Sequence, residues 1–134
     1  KISLGLFDFI HSLDNEKLAR KISDEQVKQN LKPKLFIQVN IGNEPQKSGI
    51  HIQKLFEFFN YCKELDLNIV GLMCIPPIDE DPEISFSRMN YLNKKMNFKE
   101  LSMGMSSDYL SAINFNSTYL RIGSEIFGQR LKKL

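Results

Sequence analysis

The sequence predicts an α/β chain that forms part of a (β/α)8 barrel, about five β/α units long, as a single domain over residues 1–134. Three observations carry that expectation. Short apolar runs alternate with longer stretches of helical periodicity, and strict alternation favours parallel strands joined by crossover helices. A complete barrel takes about 250 residues, so 134 residues hold a little over half of one. The strands also read as apolar on one face and polar on the other toward their C-terminal ends. An open doubly wound sheet, the other layout that fits the alternation, has helices on both faces and strands apolar on both.

Each element has a local reason. "LFDFIHSL" (6–13) reads as the first strand. Asp14 can cap the next helix, with Glu16 in its first turn, and that helix runs to about Lys28. "KLFIQVNI" (34–41) is a strand after Pro33. Leu35, Ile37, Val39 and Ile41 share one face of it, and Phe36, Gln38 and Asn40 the other. A helix over 52–66 follows, with Leu55, Phe58, Phe59, Cys62 and Leu65 at helical spacing. "NIVGLMCI" (68–75) is the third strand, stopped by Pro76-Pro77. Asp81 and Pro82 open a helix as N-cap and first residue, and Phe86, Met89, Leu92 and Met96 form its buried stripe. "ELSMGM" (100–105) is the fourth strand. Ser106 or Ser107 caps a helix through about Phe115, "TYLRIG" (118–123) is the fifth strand, and a short helix ends the chain.

Composition excludes several function classes. Hydrophobic residues at 42% and charged residues at 25% suit a soluble globular domain. A net charge of +2, with no basic stripe, gives nucleic acid no footing. No apolar run reaches membrane-spanning length, and no signal-peptide pattern opens the chain. Cys62 and Cys74 are expected as reduced thiols of a cytoplasmic protein. With only His11 and His51 beside them, a metal site is not expected.

Candidate site residues gather at the predicted C-terminal strand ends, where barrels place their ligands. "MGMSSD" (103–108) and "RIGSE" (121–125) each put small residues and hydroxyls between a strand and a following helix, whose first N–H groups are free for an anion. Ser106 could bond a phosphate oxygen, and Gly123 and Ser124 could do so through their backbone N–H groups. Taken singly, Ser106 reads as a plain N-cap and Gly123 as a turn residue; together, with Arg121 on the inward parity, they favour a phosphate-bearing ligand. Arg121 shares a strand face with Tyr119 and Gly123. It either points inward at a ligand or reaches the surface to pair with Glu125 or Asp108. Its charge is fixed, with a pKa of about 12 or more. Asn40 opens the loop "NIGNEPQKSGI" (40–50) over the same mouth, and Lys47 within it is either an anion ligand or a solvated lysine. Met73 and Met105, near strand ends, are core filler or the lining of an apolar ring site. His11, Ser12 and Asp14 are too close in sequence to form a nucleophilic triad.

"HSLD" (11–14), "IQVNI…KSGI" (37–50), "GLMCIP" (71–76), "LSMGMSSD" (101–108) and "RIGSEIFGQR" (121–130) resemble, in order, the YggS/PROSC family of pyridoxal 5′-phosphate (PLP) homeostasis proteins. The resemblance runs from about Phe7 to Arg130. It implies the alanine-racemase-type barrel known as fold type III among PLP proteins, with the present strands as the fourth to the eighth. It implies a phosphate cup at Ser106, Gly123 and Ser124, and Arg121 facing the pyridine nitrogen of the cofactor. An arginine there keeps that nitrogen unprotonated and the ring a weak electron sink, which suits holding PLP more than transforming amino acids. The family's cofactor lysine and its Phe-Gly-Glu-Asn and Trp-His motifs, on the first three strands, are not in this sequence. The resemblance is therefore to the C-terminal portion of a family member.

From this follow a non-catalytic, intracellular vitamin B6 role, weak or non-covalent PLP binding, and PLP-dependent apo-enzymes as candidate recipients. The whole protein is expected to be monomeric. An open five-strand wall, exposing half a barrel interior, is expected to self-associate. A racemase or decarboxylase on the same fold is the alternative, and would need an acid-base residue from an additional domain, for which no room is expected before Leu134. A remnant without ligand is the third reading.

Overall fold

The computed structural model describes residues 9–42, 48–77, 79–105, 113, 115, 117–121 and 129–130. Along the chain these form β1 (Phe9–Leu13), α1 (Glu16–Gln29), β2 (Lys34–Asn40), β3 (Ile50–His51), a 3-10 turn (Ile52–Lys54), α2 (Leu55–Glu64), β4 (Asn68–Met73), α3 (Pro82–Lys95), β5 (Glu100–Met105), β6 (Tyr119–Arg121) and β7 (Gln129–Arg130). Strands β1, β2, β4, β5 and β6 lie side by side in chain order, each parallel to its neighbour. A doubly wound sheet reverses its strand order at a switch point. This one does not reverse, and its progression is that of a barrel wall. The short β3 pairs in parallel with the end of β2, and β7 pairs antiparallel with β6.

The helices begin and end where side chains satisfy their free backbone groups. Asp81 Oδ1 accepts the Glu83 N–H at 3.0 Å, with Pro82 at the first helical position of α3. The cap of α1 is Asn15, whose Oδ1 accepts the Leu18 N–H at 2.8 Å, and not Asp14 as the sequence suggests. Asp14 is engaged elsewhere, as described below. At its other end α1 stops on Asn30 in the left-handed conformation. The helix expected over 52–66 starts as a 3-10 turn and becomes α-helical from Leu55. The strand expected over 68–75 is shorter, ending at Met73; of the one expected over 118–123, Tyr119–Arg121 form β6, and residues 122–123 lie outside the described residues. Near the chain end, where a helix was expected, Gln129 and Arg130 pair with Leu120 and Tyr119 as strand. The helix expected from Ser106 or Ser107 lies almost wholly outside the described residues.

Packing is one-sided. Ala19 and Ile22 of α1, Leu55, Phe58 and Cys62 of α2, and Phe86 and Met89 of α3 form one core with Leu35, Ile37 and Val39 of β2, Leu72 of β4 and Leu101 and Met103 of β5. Fully burying each such side chain contributes about 1.5–3 kcal/mol. The opposite, inner face carries a separate cluster of Phe36, Met73 and partly buried Val70. The open interior expected of a five-strand wall is not seen at these positions. Phe36, Gln38, Asn40, Met73 and Ser102 are all buried, with Phe36 and Met73 among the largest fully buried side chains. Among the described residues no helix is long and apolar enough to cross a membrane.

The strands are stitched by polar side chains that sequence patterns did not single out. Buried Asn93 of α3 accepts the Leu72 N–H at 3.1 Å and donates to the Glu100 carbonyl at 2.8 Å, tying one helix to β4 and β5 together. Gly71 faces Glu100 across that pair so closely that a Cβ would collide with the Glu100 carbonyl oxygen. Ser117 Oγ donates to the Met103 carbonyl at 2.7 Å, and Thr118 Oγ1 accepts the Leu101 N–H at 2.7 Å, fastening the approach to β6 onto β5.

Asn93→Ala removes both partners from two buried backbone groups. It is expected to cost about 2–4 kcal/mol of unfolding free energy in urea denaturation. Cys62 is a buried free thiol, and burial pushes its pKa from 9.0 up to about 12. The unfolded thiol ionises first as pH rises, so the stability this group contributes is complete below pH 9 and is lost toward pH 12. At pH 8 a thiol reagent should label Cys62 only after denaturant is added; rapid labelling of the native chain at that position would contradict the burial.

Candidate functional site

Because β2, β4, β5 and β6 are parallel, their C-terminal ends meet at one edge of the sheet. Register makes the meeting specific. Gln38 is aligned with Met73, Met73 with Ser102, and Ser102 with Tyr119, so one row crosses all four strands. At about 4.8 Å between neighbouring strands, that row is about 14 Å wide. One step further toward the C-terminal edge come Asn40 on β2 and, on the other side, the aligned backbone pair Met105 and Arg121.

Four of the seven residues expected at the cofactor site are thus brought to one edge: Asn40, Met73, Met105 and Arg121. Asn40 and Met73 are buried, and Met73 packs against Phe36. For Met105 and Arg121 the backbone position is what is described. Ser106, Gly123 and Ser124 lie outside the described residues, and so does Lys47.

Two features of the edge were not anticipated. Between Ser102 and Met105 the pairing of β5 with β6 shifts, so that three steps along β5 match two along β6. Such a bulge re-aims the strand beyond it and is common beside functional sites. Gly104 lies inside it, and a glycine within a strand is the one sequence signal that could have pointed there. The second feature is a clamp on the loop after β2. Asp14 Oδ2 accepts the Gly49 N–H at 2.9 Å, while Asn15 Nδ2 donates to Asp14 Oδ1 at 3.0 Å. Gly49 has φ +115°, and a Cβ there would stand 2.6 Å from the Asn40 backbone nitrogen. The carboxylate therefore holds a glycine that nothing larger could replace, directly against Asn40. Asp14 of "HSLD" and Gly49 of "KSGI" acquire a common physical purpose, which is to fix the β2 end of the mouth.

The described part of this edge combines the amide of Asn40, the thioether of Met73 and, aligned with Asn40 on β3, the imidazole-bearing His51. No group of three or more His, Cys, Asp or Glu side chains among the described residues could hold a metal ion. Phe36, Val70 and Met73 form an apolar cluster on the inner face, Asn40 ends β2 on the same face as Phe36, and Arg121 lies on the strand two places away from β4.

Comparison with known proteins agrees with this geometry. The family profile described as alanine racemase, N-terminal domain, matches residues 4–131. The chain is 37% identical over 140 residues to a pyridoxal phosphate homeostasis protein of Aquifex aeolicus, covering 97% of this chain and 61% of that one. It is 40% identical to the protein of the same name in Vibrio cholerae, covering 92% of this chain and 56% of that one. The chain therefore spans somewhat over half the length of these curated relatives. Among solved structures, PipY of Synechococcus elongatus superposes with a TM-score of 0.75 without PLP and 0.78 with PLP bound. The identities are 30% and 29%, over 91% of this chain and 62% and 61% of PipY. With the profile matching nearly its whole length and the strands in barrel order, this chain belongs to the alanine racemase N-terminal domain family.

Proposed function

We propose that this chain supplies the cofactor-holding wall of a PLP-binding barrel that serves PLP homeostasis, buffering or delivering the cofactor without turning over amino acids. The observation that carries the proposal is the meeting of Asn40, Met73 and the Met105–Arg121 pair at one C-terminal edge, in a chain similar to PipY, which has been solved with PLP bound. In this reading Phe36 and Met73 support the pyridine ring and Asn40 bounds it. Ser106, Gly123 and Ser124 take the phosphate on the loops that follow β5 and β6.

Bound PLP supplies an aldehyde and an electron-accepting ring. The role of Arg121 is to donate a hydrogen bond to the ring nitrogen. It can only donate, and its proton is not lost in the physiological range. The nitrogen is thereby held as an acceptor, and the ring is a poor sink for the electrons of a carbanion. That chemistry favours storage over catalysis, and PLP-dependent apo-enzymes are the natural recipients. The names of the curated relatives support the same reading.

The test is thermal denaturation with added PLP. At a PLP concentration of about 100 Kd the melting temperature should rise by about 5–10 °C. Arg121→Leu should weaken PLP binding by about tenfold or more. Incubation with L-alanine and PLP should yield no D-alanine beyond that formed by free PLP. No melting shift with PLP, a shift indifferent to Arg121→Leu, or clear racemisation would each overturn the proposal.

A further inference from the structure

The helix layer carries a concave apolar surface that the sheet edge does not use. Between the 3-10 turn and α3 lies a groove of about 430 Å³, lined by Ile52, Ser87, Arg88, Tyr91 and Leu92. Tyr91 is 64% exposed and Ile52 39%. Phe56, one turn beyond Ile52 at the start of α2, is 66% exposed. Single exposed apolar side chains are ordinary. Several gathered around one hollow mark a surface that another molecule covers. The charge of this surface is of one sign. Arg88 lines the groove and makes no ion pair among the described residues. The Lys95 ammonium stands 5.6 Å from the centre of the Tyr91 ring. None of the residues lining the groove is acidic. On the other side of α2 the character reverses, and Glu16, Glu57 and Glu64 line the groove toward α1 together with Lys54.

We infer that this groove is a docking site for an acidic segment of a partner protein, which places aromatic or aliphatic side chains against Ile52, Tyr91 and Leu92 and a carboxylate on Arg88. Its occupant is independent of what the sheet edge binds. Tyr and Arg are enriched among the side chains that dominate binding energy at protein interfaces, and a guanidinium takes a carboxylate on two parallel hydrogen bonds. Charge selects among occupants. A second copy docked face to face would bring Arg88 and Lys95 against the same two cations, which opposes association. A second copy docked head to tail would offer the acidic groove beside α1, but none of the exposed large apolar side chains lines that groove, so nothing there fills the apolar hollow. A lipid surface is met by an apolar face that inserts into it, which a recess does not do. The groove is also placed where a partner would matter. Ile52 directly follows β3, whose His51 is aligned with Asn40 at the end of β2. A partner seated there lies beside the sheet edge that carries the candidate site.

The probe is a fluorescein-labelled synthetic peptide of about 15 residues, helical, with Leu and Phe on one face and Glu flanking them. Its counterpart carries Lys in place of each Glu. Fluorescence anisotropy follows the binding of each to the full chain. The Glu peptide should bind about tenfold or more tightly than the Lys peptide, and its affinity should fall as salt rises. Arg88→Glu and Tyr91→Ala should each weaken that binding about 5- to 30-fold. Both positions are exposed, so ligand-free melting of these variants should stay within about 2 °C of wild type. Glu64→Gln, in the other groove, should bind the Glu peptide as wild type does. Failure of the Glu peptide to bind, equal binding of the two peptides, or binding indifferent to both substitutions would overturn the inference. Two further outcomes would do the same. A concentration-dependent dimer of the wild-type chain in sedimentation, abolished by Tyr91→Ala, would give the groove to a second copy. Displacement of the Glu peptide by phosphatidylserine vesicles would give it to a membrane.

Discussion

The register of four parallel strands is the constraint on which the rest depends. Side chains alternate across a strand with a period of two, so a slip of one residue would turn every core residue of that strand to the wrong face. Here the row from Gln38 through Met73 to Ser102 fixes which residues face inward, with Tyr119 next in backbone register. The same alignment sends Leu35, Ile37, Leu72 and Leu101 outward to the helices. The register is held by more than hydrophobic pattern. Asn93 grips β4 and β5 at once, Gly71 admits the Glu100 carbonyl where no side chain could stand, and Ser117 and Thr118 bind the entry of β6 to β5. These contacts join residues from different elements, and all lie near the strands whose ends form the mouth.

Much of this was legible in the sequence because it is local or periodic. The spacing of Phe58 and Cys62, or of Phe86 and Met89, marks a helix face whatever the helix packs on. Asp81 followed by Pro82 announces a helix start by its own chemistry. The alternation of Leu35, Ile37 and Val39 against Phe36, Gln38 and Asn40 shows a strand with two unlike faces, and that asymmetry separates a barrel wall from a sandwiched sheet. The illegible parts depend on distant residues. Asp14 looks like a helix cap until the loop carrying Gly49 arrives to take its carboxylate, after which Asn15 caps instead. Gln129 and Arg130 have no strand pattern of their own and become strand because β6 presents them an edge. Asn93 looked like one polar residue among several on α3, and its role exists only once β4 and β5 are in place.

The candidate site has the same character. Its framework is the shared edge of parallel strands, which backbone geometry alone dictates. Its polar residues are few: an arginine at the end of β6 and a buried asparagine at the end of β2. The β5 bulge around Gly104 and the clamp of Asp14 on Gly49 act on opposite sides of the mouth, so both walls are shaped by backbone devices independently of the polar residues between them. In the proposed reading, this edge retains a planar phosphorylated cofactor.

Hydrogen exchange followed by mass spectrometry, with and without PLP, tests the central claim most directly, because it reports where on the chain a ligand acts. The account predicts slowed exchange at the ends of β2, β4, β5 and β6, around residues 38–42, 72–74, 103–105 and 119–121, with the outer faces of α1, α2 and α3 unaffected. Protection confined to the helices, or to the opposite edge of the sheet around Lys34 and Asn68, would place the ligand elsewhere and contradict it.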